Sequence, residues 1–176
     1  MFRLIKYPTY IWYKTLEILV ENYTVAEANL KELGDLGCTV LHQVDAHTMK
    51  HHPLLNLKFF DRIVFNFPHA GFIFGEHTDY MIELHKKLVR GFLRNARDML
   101  TTNGEIHITH KTAYPFNKWN IEELGNETGL HLVGESAFYR CEYRGYINKR
   151  GSGANCNKTF PVGLASTFKF AAVSSV

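Results

Sequence analysis

Apolar and polar residues follow two different periods along this chain, and the switches between them mark out the predicted elements. From about residue 22, short β-branched runs take turns with stretches of helical spacing, which predicts an α/β fold on a largely parallel sheet. Thr24-Val25-Ala26-Glu27 has the S/T-x-x-E form of a capping box. Ala26, Leu30 and Leu33 follow at helical spacing, and Gly37 supplies a left-handed stop. Cys38 to Val44 is short and β-branched, a strand that delivers Asp45 to the carboxyl edge of the sheet. Phe60 to Phe67 repeats the arrangement and is ended by Pro68, which cannot donate to a ladder. The longest helix is expected from Thr78 to Leu100, because Leu88, Val89, Phe92, Leu93, Ala96, Met99 and Leu100 share one face. Asn103-Gly104 is read as its stop. Glu105 to Lys111 is then a strand, and Asn120 with Glu123 caps a short helix that ends at Gly129. Leu130 to Phe138 and Leu164 to Ala172 are expected to form a hairpin at the sheet edge. Tyr143 to Gly163, rich in Gly, Asn and Lys, is a long loop.

Composition narrows the class. With 176 residues, 45% hydrophobic and 14% aromatic, the chain has material for one real core, which favours one domain over two. A net charge of +3 is compatible with a nucleic-acid partner without arguing for one, so any basic footprint is local. Cys38, Cys141 and Cys156 are odd in number and lack CxxC spacing, which fits reduced thiols in the cytosol or nucleus. Arg3, Lys6 and Lys14 interrupt the apolar N-terminus, so neither a signal-peptide core nor a span of ~20 apolar residues is expected.

Phe60-Asp61-Arg62-Ile63-Val64-Phe65-Asn66-Phe67-Pro68-His69-Ala70-Gly71-Phe72 is similar to the signature of the eukaryotic uridine-N3 ribosomal RNA methyltransferase-like family. Gly104 to Lys111 (GEIHITHK), Pro115 to Ile121 (PFNKWNI), Asn148 to Gly153 (NKRGSG) and Ser166 to Phe170 (STFKF) resemble further blocks, in the family's order. Several ordered motifs are far more specific than one. The resemblance covers about residues 17–170. It implies an α/β, Rossmann-like class I methyltransferase sheet in three layers, with S-adenosylmethionine across the carboxyl edges of the strands. It also implies methylation of uridine N3 in large-subunit ribosomal RNA, in the nucleolus or cytoplasm. Enzymes of this kind open with a strand leading into a Gly-rich turn, GEGDFSFS in this family, and a second strand ending in an acidic residue. This chain has no glycine before Gly34. Glycine is needed in such a turn because the backbone approaches the cofactor closely, often at positive φ. The expected layout is therefore a divergent segment at 1–16, a domain at 17–172 truncated at its N-terminus, and a tail at 173–176. Three readings follow: the enzyme, an inactive RNA- or protein-binding relative, and a fragment short of its central strand.

Asn66, Phe67, Pro68 and His69 stand where base-methylating enzymes carry a [D/N]PP[Y/F]-type motif. The resemblance implies a flipped base held by hydrogen bonds and stacking, with His69 as a base or proton shuttle for the N3 proton. Taken alone, the same four residues read equally as a strand-ending turn with a surface histidine. Asp45 would accept from the adenine amino group, with Val44 and Ala46 beside the ring and Asn66 near the cofactor; by position alone Asp45 is a loop or capping aspartate. Lys111, Tyr143, Tyr146, Lys149 and Arg150, together with Tyr139, Arg140 and Arg144, interleave cations with aromatics in a manner suited to unpaired bases. Lys86, Arg90, Arg94 and Arg97 align on the long helix, either as a phosphate-binding stripe or as a solvated face. His42, His47, His51 and His52 lack the partners of a zinc site, and no metal is expected. The sequence leaves the oligomeric state open.

Overall fold

The computed structural model describes residues 2–5, 9–12, 14–151 and 153–173. Seven strands form one sheet in the order β3-β2-β1-β4-β5-β7-β6. They are β1 (Phe2–Ile5), β2 (Thr9–Trp12), β3 (Thr39–His42), β4 (Phe60–Asn66), β5 (Leu100–Lys111), β6 (Leu130–Ala137) and β7 (Ala165–Ala172). Four α-helices join them: α1 (Leu16–Asn22), α2 (Ala26–Asp35), α3 (Asp79–Arg97) and α4 (Ile121–Glu127).

Strand direction is what places the site. β2 and β3 run parallel, as do β4 and β5, and β1 lies between the two pairs, antiparallel to both of its neighbours. Two reversals restore the direction, so β2, β3, β4 and β5 all end at one edge of the sheet. β7 inserts antiparallel between β5 and β6 and completes the expected edge hairpin. Residues 1–16, read from the sequence as a divergent segment that left open whether it adds a strand, supply β1 and β2 to the same sheet in their described residues.

The apolar stripe of α3 makes the main core. Met81, Ile82, Val89, Phe92, Leu93 and Ala96 are buried, and most of them join Phe60, Ile63 and Phe65 of β4 with Ile106 and Ile108 of β5 in one cluster. Burying a side chain such as Phe92 contributes about 1.5–3 kcal/mol. A smaller cluster of Leu19, Tyr23, Ala26 and Cys156 ties α1 and α2 to the long loop before β7.

Several boundaries differ from the expectation. The Thr24 capping box does not form: Val25 is the N-cap of α2 and makes no side-chain bond. Gly37 does take the left-handed conformation, φ +73°, after α2. β3 is shorter than residues 38–44, because Gln43 at φ +57° turns the chain out of the ladder. Asn120 is itself left-handed and bonds the Glu123 side chain at 3.0 Å rather than capping the backbone of α4. The long helix ends at Arg97, and Met99 already accepts from the Phe60 N–H at 2.8 Å.

Asn103-Gly104 is therefore no helix stop but part of a β-bulge. Phe60 pairs with Leu100 and Arg62 with Glu105, so β5 carries three extra residues over that step. A Cβ on Gly104 would lie 2.9 Å from the Phe60 carbonyl oxygen and 3.1 Å from the Thr101 nitrogen. Backbone cannot yield as a flexible side chain can, so Gly104→Ala is expected to destabilise the chain by about 1–3 kcal/mol. Gly134→Ala, which meets nothing within 4 Å, is the control. Urea unfolding of both variants checks this, and equal midpoints would remove the bulge from the account.

Candidate functional site at the carboxyl rim

The rim gathers the ends of the parallel strands. Asn66, the last residue of β4, pairs with Thr109 of β5, and Lys111 ends β5 two residues further on. Asp45 lies three residues beyond the end of β3. Asp45, the Asn66–His69 turn and Lys111 thus share one rim, as the sequence led us to expect. They do not share one point: β3 and β4 are separated by β2 and β1, a distance of roughly 14 Å.

The turn after β4 is strained and braced. Phe67 has φ +48°, a rare conformation for an aromatic residue, and its N–H donates to the Thr109 carbonyl at 2.7 Å. Asn66 is half-buried and its side-chain amide has no protein partner among the described residues, while Pro68 is buried. The Phe67 ring packs edge-on against Phe138 and Phe160, each at 5.4 Å.

His69 is placed differently from a general base. Its Nδ1 accepts the Gly71 N–H at 3.0 Å and its Nε2 faces Glu76 Oε1 at 2.7 Å, so both ring nitrogens are engaged within the protein. His85, fully buried on the apolar stripe of α3, accepts the Ala70 N–H on Nδ1 at 3.1 Å and turns Nε2 to Glu76 Oε2 at 3.4 Å. Burial works to raise the Glu76 carboxyl. The hydrogen bond from His69, with the weaker contribution of the nearby His85 ring, outweighs it and holds the group at about 2. An aromatic column continues inward: His69 to His85 at 4.4 Å, His85 to Trp119 at 4.3 Å, and Trp119 to His110 at 4.2 Å. Burial pushes His110 down to about 4, and its Nε2 lies 3.1 Å from the Phe116 carbonyl.

Lys111 stands over two rings, Phe116 at 4.7 Å and Phe160 at 5.4 Å, and burial lowers its ammonium below the ordinary lysine range. Phe160 thus touches both Phe67 and Lys111. Asp45 is exposed, with Oδ1 accepting the His47 N–H at 2.8 Å, and Ala46 is buried beside it.

The long loop folds back over this rim. Tyr143 stacks on Phe138 at 5.0 Å, and Tyr146 meets the same ring edge-on, its hydroxyl pushed up to about 12 by burial. Lys149 is taken up inside the loop by the Asn157 carbonyl and side chain, at 2.6 and 2.8 Å, whereas Arg150 is exposed. Cys156 approaches Asn22, and Asn157 donates to Thr24 at 3.3 Å. The helical stripe is divided: Arg90 pairs with Glu127 of α4 and Arg97 donates to the Thr128 carbonyl, whereas Lys86 pairs with Glu83 within α3 and Arg94 stays exposed. Two of its four cations dock α4.

Sequence reasoning missed Glu76, His85, Phe138 and Phe160. His85 left a signal, a polar residue at i+3 and i+4 from Ile82 and Met81 on an apolar face. Phe138 and Phe160 left none, since only the fold brings them to Phe67. Among the described residues, His69, Glu76 and His85 are the one group whose ligand-type atoms converge, within 4.8 Å. The histidines at 42, 47, 51 and 52 do not. No helix among the described residues is long and apolar enough to cross a membrane.

The chain is 46% identical over 154 residues to heavy metal-associated isoprenylated plant protein 41 of Arabidopsis thaliana, covering 88% of this chain and 30% of that protein. It is 52% identical over 151 residues to a second Arabidopsis thaliana protein, itself uncharacterized, covering 84% of this chain and 72% of the other. The chain therefore spans under a third of the length of the first relative. In fold it is similar to a glycopeptide N-methyltransferase solved with S-adenosyl-L-methionine, with a TM-score of 0.51 at 11% identity, over 98% of this chain and 84% of that one. The architecture is a mixed α/β sheet of the Rossmann-like, class I methyltransferase kind. A sequence model of the rRNA (uridine-N3-)-methyltransferase BTM5-like family matches residues 9–150, and the chain belongs to that family.

Proposed function

We propose that this chain carries the methyl-acceptor half of an S-adenosylmethionine-dependent methyltransferase acting on uridine N3 in large-subunit ribosomal RNA, in the nucleolus or cytoplasm. The observation that carries the reading is the Asn66–His69 turn at the rim, where the Asn66 amide has no protein partner among the described residues and the next residue, Phe67, packs on Phe160. Asn66 offers one donor and one acceptor to the polar edge of a uracil, and Phe67 helps shape the apolar wall beside it. Lys111 supplies positive charge beside the uracil anion formed when the N3 proton leaves to solvent water, and Arg150 and Tyr143 face the flanking nucleotides. Bound S-adenosylmethionine would supply the methyl group. Asp45 keeps one carboxylate oxygen for an adenine amino group, and Asn66 stands near the transfer point.

A second reading, a catalytically inactive RNA- or protein-binding relative, is favoured by one observation. β1 begins at the rim instead of ending there, so no strand among the described residues delivers a Gly-rich turn beside β4. The residues fit the base and acceptor side of a cofactor better than its amino-acid end.

Calorimetric titration of the chain with S-adenosylmethionine distinguishes the two. A saturable heat near one equivalent is the expected result; none at high cofactor concentration would leave the binding relative standing. For the acceptor side, Asn66→Ala is expected to slow methyl transfer to a uridine-containing oligoribonucleotide about 100-fold or more, with RNA affinity changed less than about threefold. Equal losses in both would remove Asn66 from the acceptor role.

A further inference from the structure

Glu76 gathers two imidazoles behind the turn, and the trio has the composition of a divalent-metal site. The far side of each ring argues otherwise. Nδ1 of His69 accepts the Gly71 N–H and Nδ1 of His85 accepts the Ala70 N–H. A ring nitrogen that accepts a backbone N–H carries no proton, so each neutral ring holds its single proton on Nε2. A metal on Nε2 needs the reverse arrangement, a lone pair there and an Nδ1–H donating outward. Nε2 of His69 instead hydrogen-bonds the Glu76 carboxylate at 2.7 Å, and Nε2 of His85 lies 3.4 Å from its other oxygen, an ion-pair distance without hydrogen-bond alignment. His85 Nε2 and Glu76 Oε2 are buried and neither makes a hydrogen bond among the described residues, so their 3.4 Å contact is the electrostatic pairing that the geometry gives them.

We propose that Glu76 and His85 are positioning residues of the base-holding turn. One carboxylate, acting through two imidazoles, fixes two consecutive amides and with them the left-handed Phe67 backbone. The proposal deepens the proposed function, on which only its catalytic consequence rests. Strain of the Phe67 kind persists only where the surroundings over-determine it. Here the Thr109 carbonyl holds the turn from β5, at 2.7 Å, and the Glu76 clasp holds it from the loop before α3. The order of the chain makes the clasp short: His69, Ala70 and Gly71 leave the turn, Glu76 returns to it, and His85 rises from the second turn of α3. Phe72, packed on His69 at 4.0 Å, closes the outer side.

The clasp can be tested without turnover. Nitrogen NMR of the intact chain is expected to show His69 and His85 as Nε2–H tautomers; an Nδ1–H tautomer at either ring would overturn the proposal. Zinc chloride is expected to leave both rings unliganded, and one tightly bound equivalent lost in His85→Ala would make the trio a metal site instead. In Glu76→Gln the amide NH2 must face one of the two Nε2–H groups. Exchange of the Ala70 and Gly71 amides is then expected to rise about tenfold or more, the effect of losing one hydrogen bond to a charged group. Ile106 and Ile108 are expected to exchange as before. If the chain methylates a uridine oligoribonucleotide, Glu76→Gln should lower kcat about tenfold or more and leave KM within about twofold, with partial rescue by Glu76→Asp. Unchanged exchange in Glu76→Gln overturns the clasp. A chain that shows the tautomers and the exchange effect but no methyl transfer keeps the clasp and loses only the proposed function.

Discussion

Hydrogen bonding along both sides of β1 decides which residues can share a site. Direction is conserved along a ladder: β4 and β5 are parallel, β2 and β3 are parallel, and one strand antiparallel to both pairs makes all four point the same way. A parallel strand in that place would have reversed β2 and β3 with respect to β4, since β2 is itself antiparallel to β1. Asp45 would then stand at the opposite edge from Asn66 and Lys111. The common rim, and with it any binding site spanning it, follows from the pairing of four residues, Phe2–Ile5, with their two neighbours.

What could be read from the sequence tracks how local its cause is. α3 was legible because Val89, Phe92, Leu93 and Ala96 repeat at helical spacing and bury together. β4 was legible because an apolar run meets Pro68, whose missing donor ends a ladder wherever it stands. The start of β5 was not, because Asn103-Gly104 has the composition of a stop, and only the register of β4 against β5 shows that Gly104 is there to let the Phe60 carbonyl approach. Thr24 failed in the same way: tertiary packing of Tyr23 and Ala26 on Cys156 sets where α2 begins, and the cap signal gives way. At the site, Asn66, Lys111 and Asp45 could be placed because each ends or follows a strand. Glu76 could not, since its meaning depends on a hydrogen bond to His69 and a stretched contact with His85, nine residues along the chain.

The division of labour around the turn has an energetic logic. A left-handed aromatic residue costs on the order of 1–3 kcal/mol, and it is tolerated where neighbouring bonds leave no alternative. The neighbours of Phe67 are of three kinds: a backbone bond to Thr109, a ring nest of Phe138 and Phe160, and the histidine pair that reaches Glu76. Reading His69 as a proton shuttle assigned it chemistry it has no spare nitrogen to perform. Both of its ring nitrogens are committed within the protein, and Asn66 is the residue of the motif whose side-chain amide has no protein partner among the described residues.

The scarcity of early glycine and the direction of β1 are one fact seen twice. A Gly-rich turn is needed where a strand arrives at the rim beside β4 and the backbone must pass close to a cofactor. β1 departs from the rim at that place, so among the described residues no strand arrives there to lead into such a turn. The next strand to arrive is β2, one position further from β4, and it is followed by α1, whose first turn is capped by Thr15. Besides that later turn, the long loop reaches the same part of the structure. Cys156 and Asn157 already bind that loop to Asn22 and Thr24, so the one segment that touches both the Phe67 nest and α1 is the segment that could close the distance between the two halves of the rim.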